Sequence, residues 1–539
     1  MLYFIPAWYQ PGTWSENEQK WYVRREHTEF DDTVKQIQLF HRSKVYPYKI
    51  MLLSYTPNLR HFLHRQSVYH APYWSCFDAI QEVRRKKAMV LSVHNLSWPE
   101  QIEFIYTPFV LVAMLQGEKY AQVEFGEDGN PIQIDLYQQG ALWRRNIYDD
   151  RGFVSASVVY EQGKMLYQDY LTEKGTWKIR CFGEDGHVEI NPRCATYLLQ
   201  IGELEEQREF QRSRYDRLED VIEEVYSAYV AMTDEADIFC IAMKDQHADL
   251  LQRTLKGRTK ILSFFEDRVA ITKWTQIPEI VAEADYLIAD SGENRKLLRD
   301  KTEGSSLRIK NITPFDSRED FGISQQLNVQ KILVPVDGME EEKFARMIPE
   351  LGKYLQQNEN ARIILFTREA FYHRKEFLLE QTRKYLRLAG MKEEWAGEAE
   401  NNTAENTIDI EKRIPVLFYV EQCVDELAVS KCIREQRLVV DLRSTAEVYL
   451  RVAALSTGIP QLIATGTQFV EDGKNGRIVK QPEELVEDIH FYLDSLSNWN
   501  DAMIASYELG KRFSTEVLIE EWKEVIDSVR RDSRITNGR

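Results

Sequence analysis

The sequence predicts an α/β protein of two Rossmann-like domains, with an antiparallel β-meander inserted in the first. Three observations carry this reading. At 539 residues the chain is too long for one hydrophobic core, so two or three domains are expected. Continuous apolar runs recur in both halves, as strands buried on both faces of a parallel sheet do. Between Ala121 and Ile190 the period changes: turn glycines fall at Gly129, Gly140, Gly152, Gly163, Gly175 and Gly186, 11 or 12 residues apart, between segments rich in β-branched and aromatic residues.

The first domain opens with a strand from Leu2 to Ala7. With no cationic region and no long apolar stretch, this start reads as a strand rather than a signal peptide. Gln10-Pro11-Gly12-Thr13-Trp14 follows, where an open α/β sheet presents its ligand-facing turns. Phe30, Val34, Ile37 and Phe40 recur at helical spacing and cover one face of the sheet. Ile50 to Leu53 and Ala88 to Val93 read as further buried strands, which puts His94 at the carboxyl end of a strand, either as a ligand contact or as a structural histidine. The apolar run from Phe104 to Leu115 is broken by Pro108 and too short to span a bilayer, so it reads as a core segment.

The meander should hold about seven strands, with Asp128-Gly129, Glu173-Lys174-Gly175 and Asp185-Gly186 at its hairpins. Its Tyr, Trp and Arg side chains, Arg144, Arg145 and Tyr160 among them, suit docking of an extended polypeptide by strand addition; packing of the sheet would use the same aromatics. The α/β pattern then resumes. A helix is predicted from Gln207 to Met232, followed by strands at Asp237 to Ala242, Lys260 to Phe264 and Asp285 to Ala289. The second domain begins with Lys331 to Val336 and repeats with Ala361 to Phe366 and Ile414 to Val420; the acidic segment from Met391 to Glu411 reads as a mobile loop. The expected divisions are 1–116 and 193–328 for the first domain, 117–192 for the meander, 329–505 for the second domain, and 506–539 for a terminal helix packing back on the first.

Composition narrows the function. With 43% hydrophobic and 29% charged residues the chain is an ordinary globular protein, and a formal net charge of −17 argues against nucleic acid. The run Arg84-Arg85-Lys86-Lys87 reads as a solvated helix end. Six scattered cysteines lack the spacing of metal or redox motifs, so no metal and no cofactor are expected and a reduced, cytoplasmic setting fits best.

The stretch from Leu438 to Val479 organises the rest: an apolar strand ending in Asp441, Ser444, a helix, Gly458-Ile459-Pro460, a second strand, Thr465-Gly466-Thr467 and Asp472-Gly473 with Asn475-Gly476. Together with Asp337-Gly338-Met339, Lys343 and Phe513-Ser514-Thr515, this resembles the donor-sugar half of retaining GT-B glycosyltransferases. The resemblance implies two glutamates eight positions apart and an Arg and a Lys five apart; here Thr445 and Ala453 stand for the glutamates and Gly338 for the Arg, while Lys343 is kept. Gln468 stands where a further Glu is common. Glu447 reads as part of a Ser444 capping box. Backbone N–H groups of Thr465 to Thr467, at an expected helix start with Lys343 nearby, could still hold an anion or a sugar hydroxyl. The residual sugar or donor-cleft candidates are thus His94, Lys343, Thr465, Gly466, Thr467 and Gln468, with no catalytic residue assigned.

Over its whole length, through Phe4-Ile5-Pro6-Ala7-Trp8-Tyr9 and Asp150-Arg151-Gly152-Phe153-Val154-Ser155, the chain resembles the glycosyltransferase-like accessory secretory proteins of the Gram-positive accessory Sec system. That resemblance implies a catalytically inactive, cytosolic export factor that partners can hold at the membrane periphery. It would work with the second and third accessory secretory proteins and the accessory Sec ATPase on a serine-rich repeat adhesin carrying N-acetylglucosamine. The alternatives are a non-catalytic acceptor-recognition subunit of a glycosyltransferase complex and an active retaining glycosyltransferase with an unusual donor site.

Overall fold

The computed structural model describes residues 1–16, 30–126, 128–371, 373–399, 415–445 and 447–537. The strand Leu2–Ile5 is apolar and buried at every position, which suits a strand paired on both edges and covered on both faces. Among the described residues it lies within a seven-stranded parallel sheet, in the order Ile309–Asn311, Tyr286–Ala289, Thr259–Phe264, Ile238–Ala242, Leu2–Ile5, Tyr48–Leu52 and Tyr73–Ser75. Successive side chains alternate between two cores: Tyr3 and Ile5 join one, Leu2 and Phe4 the other. The second domain repeats the pattern with six parallel strands, Phe418–Gln422, Ala361–Thr367, Gln330–Pro335, Leu438–Asp441, Gln461–Ile463 and Gly476–Ile478.

Between Glu103 and Tyr215 lies an antiparallel sheet of ten strands among the described residues. The glycines at the predicted turns all have φ between +75° and +86°. Gly152 meets a second demand as well, since a Cβ there would sit 2.4 Å from the Met89 carbonyl oxygen. The sheet begins ahead of the expected 117, because Phe104 to Leu115 belongs to the core of the inserted sheet, with Leu111 and Ala113 buried, and not to the first domain. It folds at Pro108 into a hairpin, Glu103–Tyr106 with Val110–Leu115, and its outer strand leaves Ile105 and Tyr106 exposed. At the other edge the sheet takes in Arg214–Tyr215.

Two further expectations are corrected. Ala88 to Val93 forms no strand: Val90 is 87% exposed, and the run crosses the sheet pinned by Met89 N–H on the Arg151 carbonyl. His94 accordingly sits in the short 3-10 turn Val93–Asn95, not at a parallel-strand end. The helix expected from Gln207 starts only at Leu218, because Gly202 turns the preceding chain into the hairpin Thr196–Ile201 with Leu204–Glu209. Of the segment Met391 to Glu411, residues 391–399 hold a 3-10 turn, Glu393–Trp395, and a parallel bridge from Ala396 to Phe418; the remainder lies outside the described residues.

The terminal helix Thr515–Asn537 crosses back onto the first domain. Leu518, Trp522, Val525, Ile526 and Val529, spaced at three and four, enter the core that holds Phe4 and Phe40. The Trp522 and Phe40 rings meet edge to face at 5.9 Å, and Arg308 donates to the Ser528 hydroxyl at 2.7 Å. The two domains also meet directly, through Lys35 and Glu426 at 2.7 Å.

Candidate functional site

A cavity of about 540 Å³ opens where the carboxyl ends of strands from both domains face one another. The chain leaving Thr259–Phe264 contributes Glu266 and Asp267, and that leaving Tyr286–Ala289 contributes Asp290, Ser291 and Glu293. From the second domain, Thr445 follows Leu438–Asp441, Thr465 and Thr467 follow Gln461–Ile463, and Arg451 projects from the helix Val448–Thr457. Ser291 caps the helix Gly292–Lys301 by accepting from Asn294 N–H at 3.2 Å.

The first-domain wall is acidic. Burial, then Glu447 and Asp290, push the Glu266 carboxyl up to about 8, against the pull of Arg368. Burial also pushes Asp290 up to about 6, although Glu266 N–H and the Asn294 amide donate to it at 2.7 and 2.8 Å.

Positive charge on the second-domain side is already committed. Asp441, 1% exposed, holds Arg443 at 2.8 Å and Arg451 at 3.0 Å; burial pushes its carboxyl up, but the two guanidiniums pull it below the usual carboxylate range. Arg374 pairs with Asp337 and Glu369, each at 3.0 Å. Arg368 pairs with Glu447 and lies 3.5 Å over the ring of Phe30, a first-domain residue. The capping-box reading of Glu447 is therefore wrong: it precedes the helix, makes no side-chain cap bond, and serves as the counter-ion of Arg368. Arg368–Glu447 and Arg374–Asp337 escaped the sequence reading because the partners are distant in the chain, although Arg443 and Arg451 beside Asp441, and Glu369 beside Arg374, were legible neighbours.

The other predicted residues are dispersed. Thr445, Thr465 and Thr467 share the cavity, but Ala453 lines a different hollow, of about 730 Å³, with Lys35, Glu426 and Tyr449. No helix starts after Thr467; a turn leads instead to Gly476–Ile478, so the helix-dipole argument for an anion there falls. Gln468 accepts from the Asn311 amide and ties the domains together. Lys343 lies in the first turn of Glu341–Gln357 and is not among the side chains lining the cavity. Gly338 has φ +73° with open space around its Cβ position. His94 packs on Phe104 and meets the Tyr106 hydroxyl at 3.1 Å, within the inserted sheet. Arg145 is bidentate to Asp135 at 2.7 and 2.9 Å and lies near Tyr160, whereas Arg144 points to the opposite face and donates to Ser157 at 2.9 Å. These three residues therefore form no single patch.

Among the described residues, no helix is long and apolar enough to cross a membrane, and no group of three His, Cys, Asp or Glu could hold a metal ion.

A family model described as an accessory Sec system protein, the first of the accessory secretory proteins, matches residues 1–528. The protein of that description from Streptococcus gordonii is 32% identical over 541 residues, covering 98% of this chain and 100% of its own length. The solved structure of accessory secretory proteins 1, 2 and 3 from Streptococcus pneumoniae contains a chain 27% identical, with TM-score 0.79, over 98% of this chain and 100% of that one. The pneumococcal O-GlcNAc transferase GtfA, solved with UDP and GlcNAc, is 10% identical with TM-score 0.71 over 98% of each chain; that likeness shows the fold, GT-B, alone.

Proposed function

This chain belongs to the family of the first accessory secretory protein of the accessory Sec system, and on that footing we propose that it is a catalytically silent GT-B subunit of the export machinery. In this reading it works in the cytoplasm with the second and third accessory secretory proteins and the accessory Sec ATPase. Its cargo is a serine-rich repeat adhesin carrying N-acetylglucosamine. The assembled relative from Streptococcus pneumoniae supports the first two partners; the cytoplasmic setting, the ATPase and the glycosylated cargo rest on the sequence resemblance alone.

One observation carries the silent reading. A nucleotide sugar brings a diphosphate, which needs charge-assisted donors. Arg368, Arg374, Arg443 and Arg451 each already hold a carboxylate, and Asp267, Asp290 and Glu293, against the lining Lys273, face the cavity where the diphosphate would enter, with Glu266 holding its proton near neutral pH. A neutral sugar meets no such penalty. The hydroxyls of Ser291, Thr445, Thr465 and Thr467 can bond it, with affinity on the order of millimolar for a single residue.

Calorimetry with UDP-N-acetylglucosamine tests this directly. The expected result is no binding tighter than millimolar and no release of UDP when acceptor polypeptide is added. Micromolar binding or UDP release would promote the active-enzyme reading. The inserted sheet, with its exposed outer strand, favours the second alternative, acceptor recognition within a glycosyltransferase complex. Copurification from the host distinguishes it: a catalytic transferase as the bound chain supports acceptor recognition, and the accessory secretory proteins support export.

A further inference from the structure

Glu266 differs from the other acids of the cleft in how its backbone is held. It follows the strand Thr259–Phe264 with φ 45°, in the left-handed region that residues with a Cβ rarely enter. Among the described residues with a Cβ and a positive φ, it alone lines this cavity. Both of its backbone groups are fixed from the neighbouring loop and helix. Its N–H donates to Asp290 at 2.7 Å, and its carbonyl accepts from the Asn294 amide at 2.9 Å. Asn294 is tied in turn to Asp290 at 2.8 Å and to Ser291 at 3.2 Å. A strained conformation persists only where its surroundings over-determine it, and here they aim one side chain at the cavity.

The carboxyl so placed makes no hydrogen bond and no ion pair among the described residues. The groups that face it are mostly of its own sign. Asp267 adjoins it in the chain, Asp290 comes from the loop after Tyr286–Ala289, and Glu447 comes from the second domain. The opposite charge it feels, Arg368, is already held by Glu447. Lys273 and Glu293 complete the charged lining. Burial and the like charges push the Glu266 carboxyl up to about 8, so it carries its proton at neutral pH.

A carboxylic acid donates a hydrogen bond, whereas an ionised carboxylate only accepts. The chain beyond Glu266 continues as Val269, Ala270 and Ile271, which with Leu297 give the cavity an apolar wall. An acetamido group matches this pair of features, since its carbonyl oxygen only accepts and its methyl is apolar. We propose that Glu266 selects an N-acetylated sugar in the cleft, its acid O–H donating to the acetamido carbonyl while the methyl rests on the wall from Val269 to Ile271. The assignment rests on the neutral-sugar reading of the cleft, to which it adds a residue and a substituent. Loss of the proton removes the donor and sets a carboxylate against the carbonyl oxygen. Affinity for N-acetylglucosamine should therefore fall as pH rises through about 8. Glucose carries in that position a hydroxyl, which donates as readily as it accepts, so its binding should lack this dependence.

Ligand-observed NMR titrations of the full chain with N-acetylglucosamine and with glucose, near pH 7 and near pH 9.5, test this. The expected result is about tenfold weaker binding of N-acetylglucosamine at the higher pH, with glucose little changed. Glu266→Gln keeps an N–H donor and cannot ionise, so it should bind N-acetylglucosamine alike at both pH values. The comparison of the two sugars on the parent chain stands without the variant. Binding of N-acetylglucosamine that is equal at both pH values, that falls in parallel with glucose, or that falls equally in Glu266→Gln overturns the assignment and leaves the sugar reading standing. No binding of N-acetylglucosamine at either pH overturns both.

Discussion

Glu266 shows how the setting of one side chain becomes a property of the whole protein. Its folded carboxyl, pushed up to about 8 from an ordinary value of 4.5, binds a proton more tightly than the unfolded chain does. Stability linked to it is therefore complete below the unfolded value and is lost as pH rises toward the folded one; Asp290, pushed up to about 6, has the same sign over a lower window. Glu266→Gln removes that loss. Relative to the parent it should be more stable by about 1 kcal/mol or more near pH 8.5, and equal to it near pH 4. Melting curves at the two pH values check this, and identical differences at both would mean that the carboxyl is solvated and ionised. At this scale the sequence was half legible. That Thr445, Ala453 and Gly338 stand where the GT-B resemblance implies two glutamates and an Arg could be read from the sequence. The salt bridges of Arg368 and Arg374, which fill the same region, could not, because Glu447 and Asp337 lie 79 and 37 positions away and become neighbours only on folding.

At the scale of the element, parallel strands and hairpin turns declared themselves, because a strand covered on both faces must be apolar throughout and a tight hairpin needs positive φ. Ala88 to Val93 shows the limit of that signal. Its composition matches a buried strand, yet it pairs with no strand of either parallel sheet, and it lies across the inserted sheet with Met89 and Val90 exposed. The terminal helix Thr515–Asn537 was legible from its spacing, and its packing predicts a large effect. Trp522 is 2% exposed against Phe40, so Trp522→Ala should cost about 3–5 kcal/mol in chemical denaturation. Deleting residues 515–539 should be worse, since it uncovers Phe4, Ile37 and Phe40 together, and should give insoluble protein. A soluble, monomeric truncation with a cooperative transition would mean that the helix is only an appendage.

The whole molecule joins its halves at many points, and this bears on the cargo binding proposed above. Lys35 with Glu426, Arg368 over Phe30, Asn311 with Gln468 and Thr515 with Asp316 all span the two domains or their connection. The order of the two α/β halves could be read from the sequence; these ties could not, since each joins residues more than 150 positions apart. On the proposed function, a cleft so tied offers a preformed set of hydroxyl contacts, worth on the order of millimolar affinity for one sugar. A repeat polypeptide carrying many sugars changes the arithmetic. Once one sugar is held, the next contact is intramolecular, with an effective concentration on the order of millimolar, and the gain over a single contact reaches roughly 10²–10⁴ where geometry permits. Because one chain offers one such cleft, that gain should belong to the assembly. A multiply glycosylated repeat peptide should therefore bind the complex of the three accessory secretory proteins roughly a hundredfold more tightly than it binds this chain alone, while free N-acetylglucosamine binds both equally weakly. Surface-bound peptide and the two analytes in solution would measure it. Equal affinity of the isolated chain and the complex for the peptide would show that recognition lies in this chain alone, and tight binding of the unglycosylated peptide would show that the sugar is not what is recognised.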